Sequence, residues 1–316
     1  MTRIRLQYIL SFLVATLLLG GCMKEDYSDC GLYLKFRYTN HPEQTDWFAE
    51  KIETVDLFIF NEEGIFQEQW NHSASQGNEL HLNLEKGAYT VVAWGNLSDD
   101  FKYTSLQPGV TTFDKAILSL KRDEQNTVTI HPQPLYHAIA RNLDIKKIGI
   151  QRSILDFSHN INHIEVNVEG LPINEARTPN RTATAPGTQF TILVTGNNGD
   201  YKFDNSHWEK ASQLQYTPVY KQTGKNLTAN FTLMRLSQND GTRLIVQHTE
   251  SNGTKRTIYD EELSILLHSN PQIDLDIYSE FQVNLKFDDL TYALISITVN
   301  GWESTVNDDG QGGVIG

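Results

Sequence analysis

The sequence predicts an all-β protein: two tandem β-sandwiches behind a cleaved N-terminal lipoprotein signal. Three observations carry that prediction. Apolar residues recur with a period of two along most of the chain, turn-forming residues interrupt them at short intervals, and an apolar run near the start ends on a cysteine. A period of two marks half-buried strands, and short strands with turn signals every ~8–12 residues read as sandwiches.

The N-terminal segment comes first. Arg3 and Arg5 precede an apolar stretch over residues 9–19. A spanning helix needs ~20 apolar residues, so this stretch reads as a secretory signal. It ends on Leu19-Gly20-Gly21-Cys22, which resembles a bacterial lipobox. The resemblance implies cleavage between Gly21 and Cys22, a diacylglycerol on the Cys22 thiol and acylation of the freed amine. Residues 22–30 are polar and acidic and suit a flexible tether. Within them Lys24-Glu25-Asp26 resembles the export signal that carries Bacteroidetes lipoproteins to the outer face of the outer membrane.

Composition narrows the function. The chain has 316 residues and a formal net charge of −13. Losing residues 1–21 removes two arginines and no acid, so the remaining body is more acidic still. Nucleic-acid binding needs clustered Lys and Arg and is not expected. Adhesion to anionic headgroups is not expected either, which leaves membrane attachment to the lipid. Of the two cysteines, acylation of Cys22 leaves Cys30 alone. An intramolecular disulfide is then excluded, and Cys30 reads as a structural thiol ahead of the first strand.

The strands follow in order. Leu32, Leu34, Phe36 and Tyr38 alternate with Tyr33, Lys35 and Arg37. Residues 55–60 form a buried-strand candidate that stops at the turn Asn61-Glu62-Glu63-Gly64. Leu80, Leu82 and Leu84 alternate with His81 and Asn83, and Gly87 opens a strand that ends at Trp94-Gly95-Asn96. Residues 127–130 precede the Pro132-Gln133-Pro134 break, and 132–142 is less regular. Later candidates are 143–150, 163–168, 190–195, 227–236, 243–248, 281–287 and 292–299. Short helices are expected at 44–51 and at 260–268, where Glu261 and Glu262 suit an N-terminus and His268 a C-terminus. The expected division is a first sandwich over 31–142, a second over 143–302 and a flexible tail over 303–316. Residues 177–186 read as a polar loop in the second sandwich.

No motif of catalysis stands out: no G-x-S-x-G, H-E-x-x-H, P-loop or G-x-G-x-x-G. His159 and His163 have metal-ligand spacing for a helix, but their spacer leads into a strand, so the two side chains are expected to diverge. Asp288-Asp289 and Asp308-Asp309 read as solvated acids, since glycoside hydrolysis needs carboxylates facing across a cleft. Trp94 and Trp302 sit at strand ends beside Gly and Asn, a sandwich-core or rim position. No catalytic residue, metal ligand or cofactor is therefore expected.

Several stretches together carry a family resemblance. Leu34-Lys35-Phe36-Arg37-Tyr38-Thr39-Asn40, residues 55–60, the Glu63-Gly64 turn, Gly87-Ala88-Tyr89 and Val92-Ala93-Trp94-Gly95-Asn96 follow one another. Pro134-Leu135-Tyr136-His137, residues 162–170 and 227–236, and Ile297-Thr298-Val299-Asn300-Gly301-Trp302 continue the series. It closely resembles the FimB-like fimbrial anchor lipoproteins of Bacteroidetes, departing from their pattern at Tyr136-His137. The resemblance implies two transthyretin-like sandwiches at the base of a fimbrium, holding the shaft to the outer membrane and terminating its assembly. It also implies fimbrial major and accessory subunits as partners. Such subunits polymerise when proteolysis frees a groove that another subunit's strand fills.

One constraint follows. Cleavage after a first strand at 32–38 would sever the body from the lipid on Cys22. The chain is therefore expected to keep that strand and leave its own groove filled. The shaft would then meet another surface, for which the apolar-poor tail 303–316 is a weak strand donor. The alternative reading is a surface glycan-binding lipoprotein of a polysaccharide-uptake system. A coplanar row of exposed aromatics would favour it, and buried Trp94 and Trp302 would count against it.

Overall fold

A strand that alternates apolar and polar residues must cover its apolar face, and the first strand sets the layering. The computed structural model describes residues 30–146, 149–173 and 189–305. In β1 (Gly31–Arg37), Leu32, Leu34 and Phe36 are fully buried. After α1 (Phe48–Lys51) come β2 (Thr54–Asn61), β3 (Phe66–Ser73), β4 (Glu79–Leu82) and β5 (Gly87–Gly95). Then follow β6 (Phe101–Tyr103), β7 (Ile117–Leu120), β8 (Thr127–Val128), β9 (Tyr136–Ile145), β10 (Ile150–Asp156) and β11 (Ser158–His159). The second half holds β12 (Ile161–Glu169), β13 (Phe190–Gly196), β14 (Asp200–Lys202), β15 (Leu214–Tyr216), β16 (Val219–Thr223) and β17 (Asn226–Met234). It ends with β18 (Arg243–Thr249), β19 (Lys255–Glu262), α2 (Leu263–Leu267), β20 (Glu280–Phe287), β21 (Leu294–Val299) and β22 (Trp302–Thr305). The all-β expectation holds.

In the first body a sheet ordered β10-β1-β4 faces one ordered β11-β9-β5-β2-β3. Leu32, Leu34, Phe36, Leu57, Ile59, Val91 and Ala93 fill the space between them. The alternate residues Phe58, Phe60, Val92 and Trp94 point the other way, into a core shared with Phe101, Leu118 and Phe203 under the sheet β14-β7-β6. Both faces of β2 and β5 are covered, which explains why their sequences are almost continuously apolar. The second body packs a six-stranded sheet, β16-β17-β12-β20-β21-β22, on a five-stranded one, β19-β18-β13-β15-β8. Val166, Val168, Ile192, Val194, Phe231, Val246, Val283 and Leu285 lie in its core.

The two bodies are stitched together. β7 from the first half pairs with β14 from the second, and β8 pairs with β15. The expected junction at 142/143 falls inside β9. There Arg141 and Asn142 form a bulge opposite Thr90, with Asn142 at φ 56°, so a polar pair that reads as a linker is a kink in a strand. β10 and β11 return to β1 and β9, and the first body's ladders run to His159.

Other expectations also shift. The stretch 132–142 contributes most of β9, and the candidate at 143–150 splits between β9 and β10. The helix expected over 260–268 shrinks to α2, because residues 260–262 pair with Ile245, Leu244 and Arg243 in the β18–β19 ladder. Gln44 has φ 55°, so the first helix is confined to α1. The tail expected over 303–316 loses its first residues to a strand. Asn300 and Gly301, at φ 46° and 81°, make a hairpin turn that returns residues 302–305 onto β21 as β22. The 177–186 loop and residues 306–316 lie outside the described residues.

Candidate anchoring site

The entry of the chain into β1 is the first candidate, because any pull on the chain from its N-terminal side reaches the described structure there. Gly31 donates its N–H to the Gly149 carbonyl at 3.1 Å, and the Gly149 N–H reaches Cys30 Sγ at 3.3 Å. His81 Nε2 donates to the Cys30 carbonyl at 3.0 Å. A side chain at Gly31 would collide with the Leu82 carbonyl, 2.6 Å from its Cβ, and the φ of +135° disfavours one independently. Tyr33 stacks on His81 at 4.4 Å, and the Arg152 guanidinium lies 5.4 Å from the Tyr33 ring centre. Cys30 thus takes part in the clasp as a half-buried thiol.

β1 is held along its length and at its far end. Its seven residues pair in parallel with 150–156, and 32–35 pair antiparallel with 79–82. At its last residue, Arg37 pairs with Asp156 at 2.8 Å. Thr39 donates to the same carboxylate from its N–H at 3.1 Å and its hydroxyl at 2.9 Å. Asn40 Nδ2 reaches Ser158 Oγ at 2.7 Å. The slot between β10 and β4 is occupied by the chain's own first strand.

The junction between the bodies is polar and buried. Arg122 Nη2 donates to both carboxylate oxygens of Asp200, at 3.1 and 2.9 Å. Asn160 and Asn205 exchange side-chain amide hydrogen bonds, and Tyr201 Oη donates to the Arg235 carbonyl at 2.6 Å. His137 Nε2 donates to the Phe203 carbonyl at 2.9 Å. Burial lowers the pKa of His137 from 6.5 to about 4. Burial, followed by the nearby Arg235 charge, does the same to His159. Both imidazoles are neutral at pH 7.

The residues singled out in the sequence fall into three groups. Gly21, Cys22, Lys24, Glu25 and Asp26 lie outside the described residues, as do Asp308 and Asp309. His159 is buried while His163 is exposed on β12; the pair is not brought together. Asp288 accepts from the N–H groups of Leu290 and Thr291 and from the Thr291 hydroxyl, bonds that lower its pKa. Trp94 is fully buried and Trp302 half-buried. Among the described residues, the exposed aromatics are Trp70 and Tyr103. Trp70 lies opposite Leu57, whereas Tyr103 packs on Phe58. Adjacent residues of a strand face opposite ways, so the two rings do not form a common platform.

Sequence reasoning missed a depression of about 550 Å³ on the outer face of the six-stranded sheet, lined by His131, His163, Glu165, Val219, Asn230 and Gln282. Glu165 accepts from Asn167 and Gln282 at 3.1 and 3.0 Å, so the polar groups of its floor hold one another. Alternating polar residues in β12, β17 and β20 were the available signal.

Comparison with known proteins adds a family. The model of the family described as "Fimbrillin-A associated anchor proteins Mfa1 and Mfa2" matches residues 27–308. The sequence is 26% identical over 307 residues, 90% of each chain, to the minor fimbrium anchoring subunit Mfa2 of Porphyromonas gingivalis. The solved fimbrial anchor protein Mfa2 from that species superimposes with a TM-score of 0.73 at 24% identity, covering 86% of this chain and 98% of that one. A proposed polysaccharide-binding protein from Bacteroides thetaiotaomicron gives 0.75 at 20% identity, covering 89% and 100%. A proposed adhesin from Bacteroides ovatus gives 0.71 at 21%, covering 90% and 98%. These three structural likenesses bear on the fold alone.

Proposed function

Because the chain belongs to the family of fimbrillin-A associated anchor proteins, we infer that it works at the cell surface as a non-enzymatic anchor subunit of a fimbrium. In this reading it is an outer-membrane lipoprotein. Acyl chains on Cys22 hold it in the membrane, and Lys24-Glu25-Asp26 directs it to the outer face. Several acyl chains give the stable attachment that a single one does not. It sits at the fimbrial base, binds major and accessory subunits, and terminates assembly.

The observation that carries the reading is the position of β1. This strand follows the tether and is the central strand of its sheet, paired on both edges with its apolar side chains buried. A pull along its axis loads both ladders in shear, so the hydrogen bonds resist together rather than one after another. An anchor whose own slot is filled can end a chain of strand exchange without being cut from its lipid. The glycan-binding alternative gains no support from Trp70 and Tyr103, which lie on opposite sides of one sheet.

Replacing Cys22 with Ala tests this reading. The expected result is a folded protein that is unprocessed or mislocalised, with fimbriae released into the medium. Normal retention of fimbriae by that variant overturns the anchoring mechanism, and fimbriae containing a body trimmed of residues 32–38 overturn the filled slot.

A further inference from the structure

We propose that the end of the second body farthest from the tether, built around Leu290 and Ile295 beside the outermost strand β22, is the surface that receives the adjoining fimbrial subunit. The inference rests on the anchor reading and adds the docking surface to it.

Strand register orders the molecule from one end to the other. β1 starts at Gly31, beside Gly149 and Ile150, and ends at Arg37 beside Asp156. The junction follows at Asn40, which bonds Ser158 and the Asp276 carbonyl. β12 then leaves the junction at Ile161, paired with Met234, and finishes at Val168 and Glu169 beside Leu227 and Lys286. Phe287, Phe190, His248 and Tyr292 gather at this far end. β22 starts near the junction, since Asn300 donates to the Gln282 carbonyl. It runs outward until Thr305 pairs with Ser296, which itself pairs with Lys286. The chain therefore enters its first strand at the end of the first body away from the junction. It leaves its last described strand heading toward the end of the second body away from the junction.

That far end presents apolar side chains on a rigid support. Leu290 is 85% exposed and Ile295 45%. Leu290 sits at the tip of the β20–β21 turn, whose backbone the Asp288 carboxylate fixes through bonds of 3.1 Å to the Leu290 N–H and 2.8 Å to the Thr291 N–H. The Asp288 N–H closes the turn on the Ala293 carbonyl at 2.8 Å. Tyr292 takes φ 59°, a costly conformation for a bulky side chain. Its ring is held edge-on by Phe190 at 5.6 Å and against His248 at 5.1 Å. Below the turn, Gly170 approaches the Phe287 carbonyl so closely that a Cβ would lie 1.9 Å from its oxygen. A solvent-facing leucine on so constrained a turn is preorganised for burial in a partner's apolar pocket.

Among the described residues, β22 is the outermost strand of its sheet and pairs through residues 296–299 of β21 alone. An outermost strand can receive an added strand along its other edge. The occupant is therefore one fimbrial subunit, pairing a strand with β22 and covering Leu290 and Ile295, while the opposite end of the strand path faces the tether.

Photo-crosslinking in intact cells tests this. A benzophenone amino acid is placed at Leu290, at Ile295, and, as first-body controls, at Ile150 and Ile154, which are also exposed. Crosslinks to a fimbrial subunit from 290 and 295, with none from 150 or 154, are the expected result. Crosslinks from 150 or 154 but not from 290, or from both ends alike, overturn the docking surface and leave the anchor reading standing. No crosslink to any fimbrial subunit from any position, in cells where crosslinking of fimbriae recovers other neighbours, overturns both. Separately, Leu290→Asp should leave the melting temperature unchanged and release most fimbriae from cells. Full retention of fimbriae by a stably folded Leu290→Asp protein counts against the surface.

Discussion

Arg122 and Asp200 form a two-bond ion pair that ties the loop after β7 to β14, with the Asp200 side chain only 1% exposed and that of Arg122 21%. It fastens the first half of the chain to the second. Removing one partner strands the other's charge, so Asp200→Ala should cost on the order of 3 kcal/mol. The double change Arg122→Met with Asp200→Leu should recover most of that loss. Urea denaturation of the three proteins checks both statements.

Stability should fall on mild acidification. His137 and His159 ionise near 6.5 when exposed and near 4 in the fold. Between those values the unfolded chain binds protons that the folded chain refuses. The stabilising preference for neutral imidazole is thus complete above pH 6.5 and is lost as pH falls toward 4. Each buried group contributes roughly 3 kcal/mol at most. Thermal melts from pH 7.5 to 4 should show a declining melting temperature, with a shallower slope in His137→Gln. Trp94, 4.7 Å from the His137 ring, offers a fluorescence readout.

β1 should be indispensable to the first body. Phe36 is fully buried and its ring lies 5.6 Å from Phe48 and 5.1 Å from His72. Phe36→Ala should cost about 3–5 kcal/mol. A chain beginning at residue 39 should lose protease resistance in the first body, measured by limited proteolysis and mass spectrometry.

Gly170→Ala should destabilise the second body by more than about 2 kcal/mol, because the φ of +83° and the Phe287 carbonyl both exclude a side chain. Gly253→Ala, at φ +85° with open space around it, should cost only about 1 kcal/mol. Chemical denaturation of the pair separates steric collision from backbone strain.

The legible parts of the fold were those whose side chains alternate or run continuously apolar. β1, β2, β5, β12, β13, β17 and β20 show it, because one or both of their faces must be covered wherever they lie. β3 was hidden: it is an edge strand in which only Phe66 and His72 are buried, so its sequence carries no alternation. β14 and β15 were hidden because three residues are too few to show a period, and their partners β7 and β8 lie far away in sequence. Residues 260–262 read as the start of a helix, yet β18 draws them into a ladder. Local propensity yields there to tertiary pairing.

By itself the sequence determined the all-β class, the buried face of most long strands and, through motifs spread along nearly its whole length, the family resemblance. Those properties follow from local periodicity and from residue identities. Only the tertiary structure decided that β1 sits between two neighbours, that β9 runs through the expected boundary, and that Leu290 stands on a braced turn at the end of the second body away from the junction. Each of these depends on which distant segments share a hydrogen-bond ladder. A pairing between residues more than a hundred positions apart leaves no periodic trace in either strand.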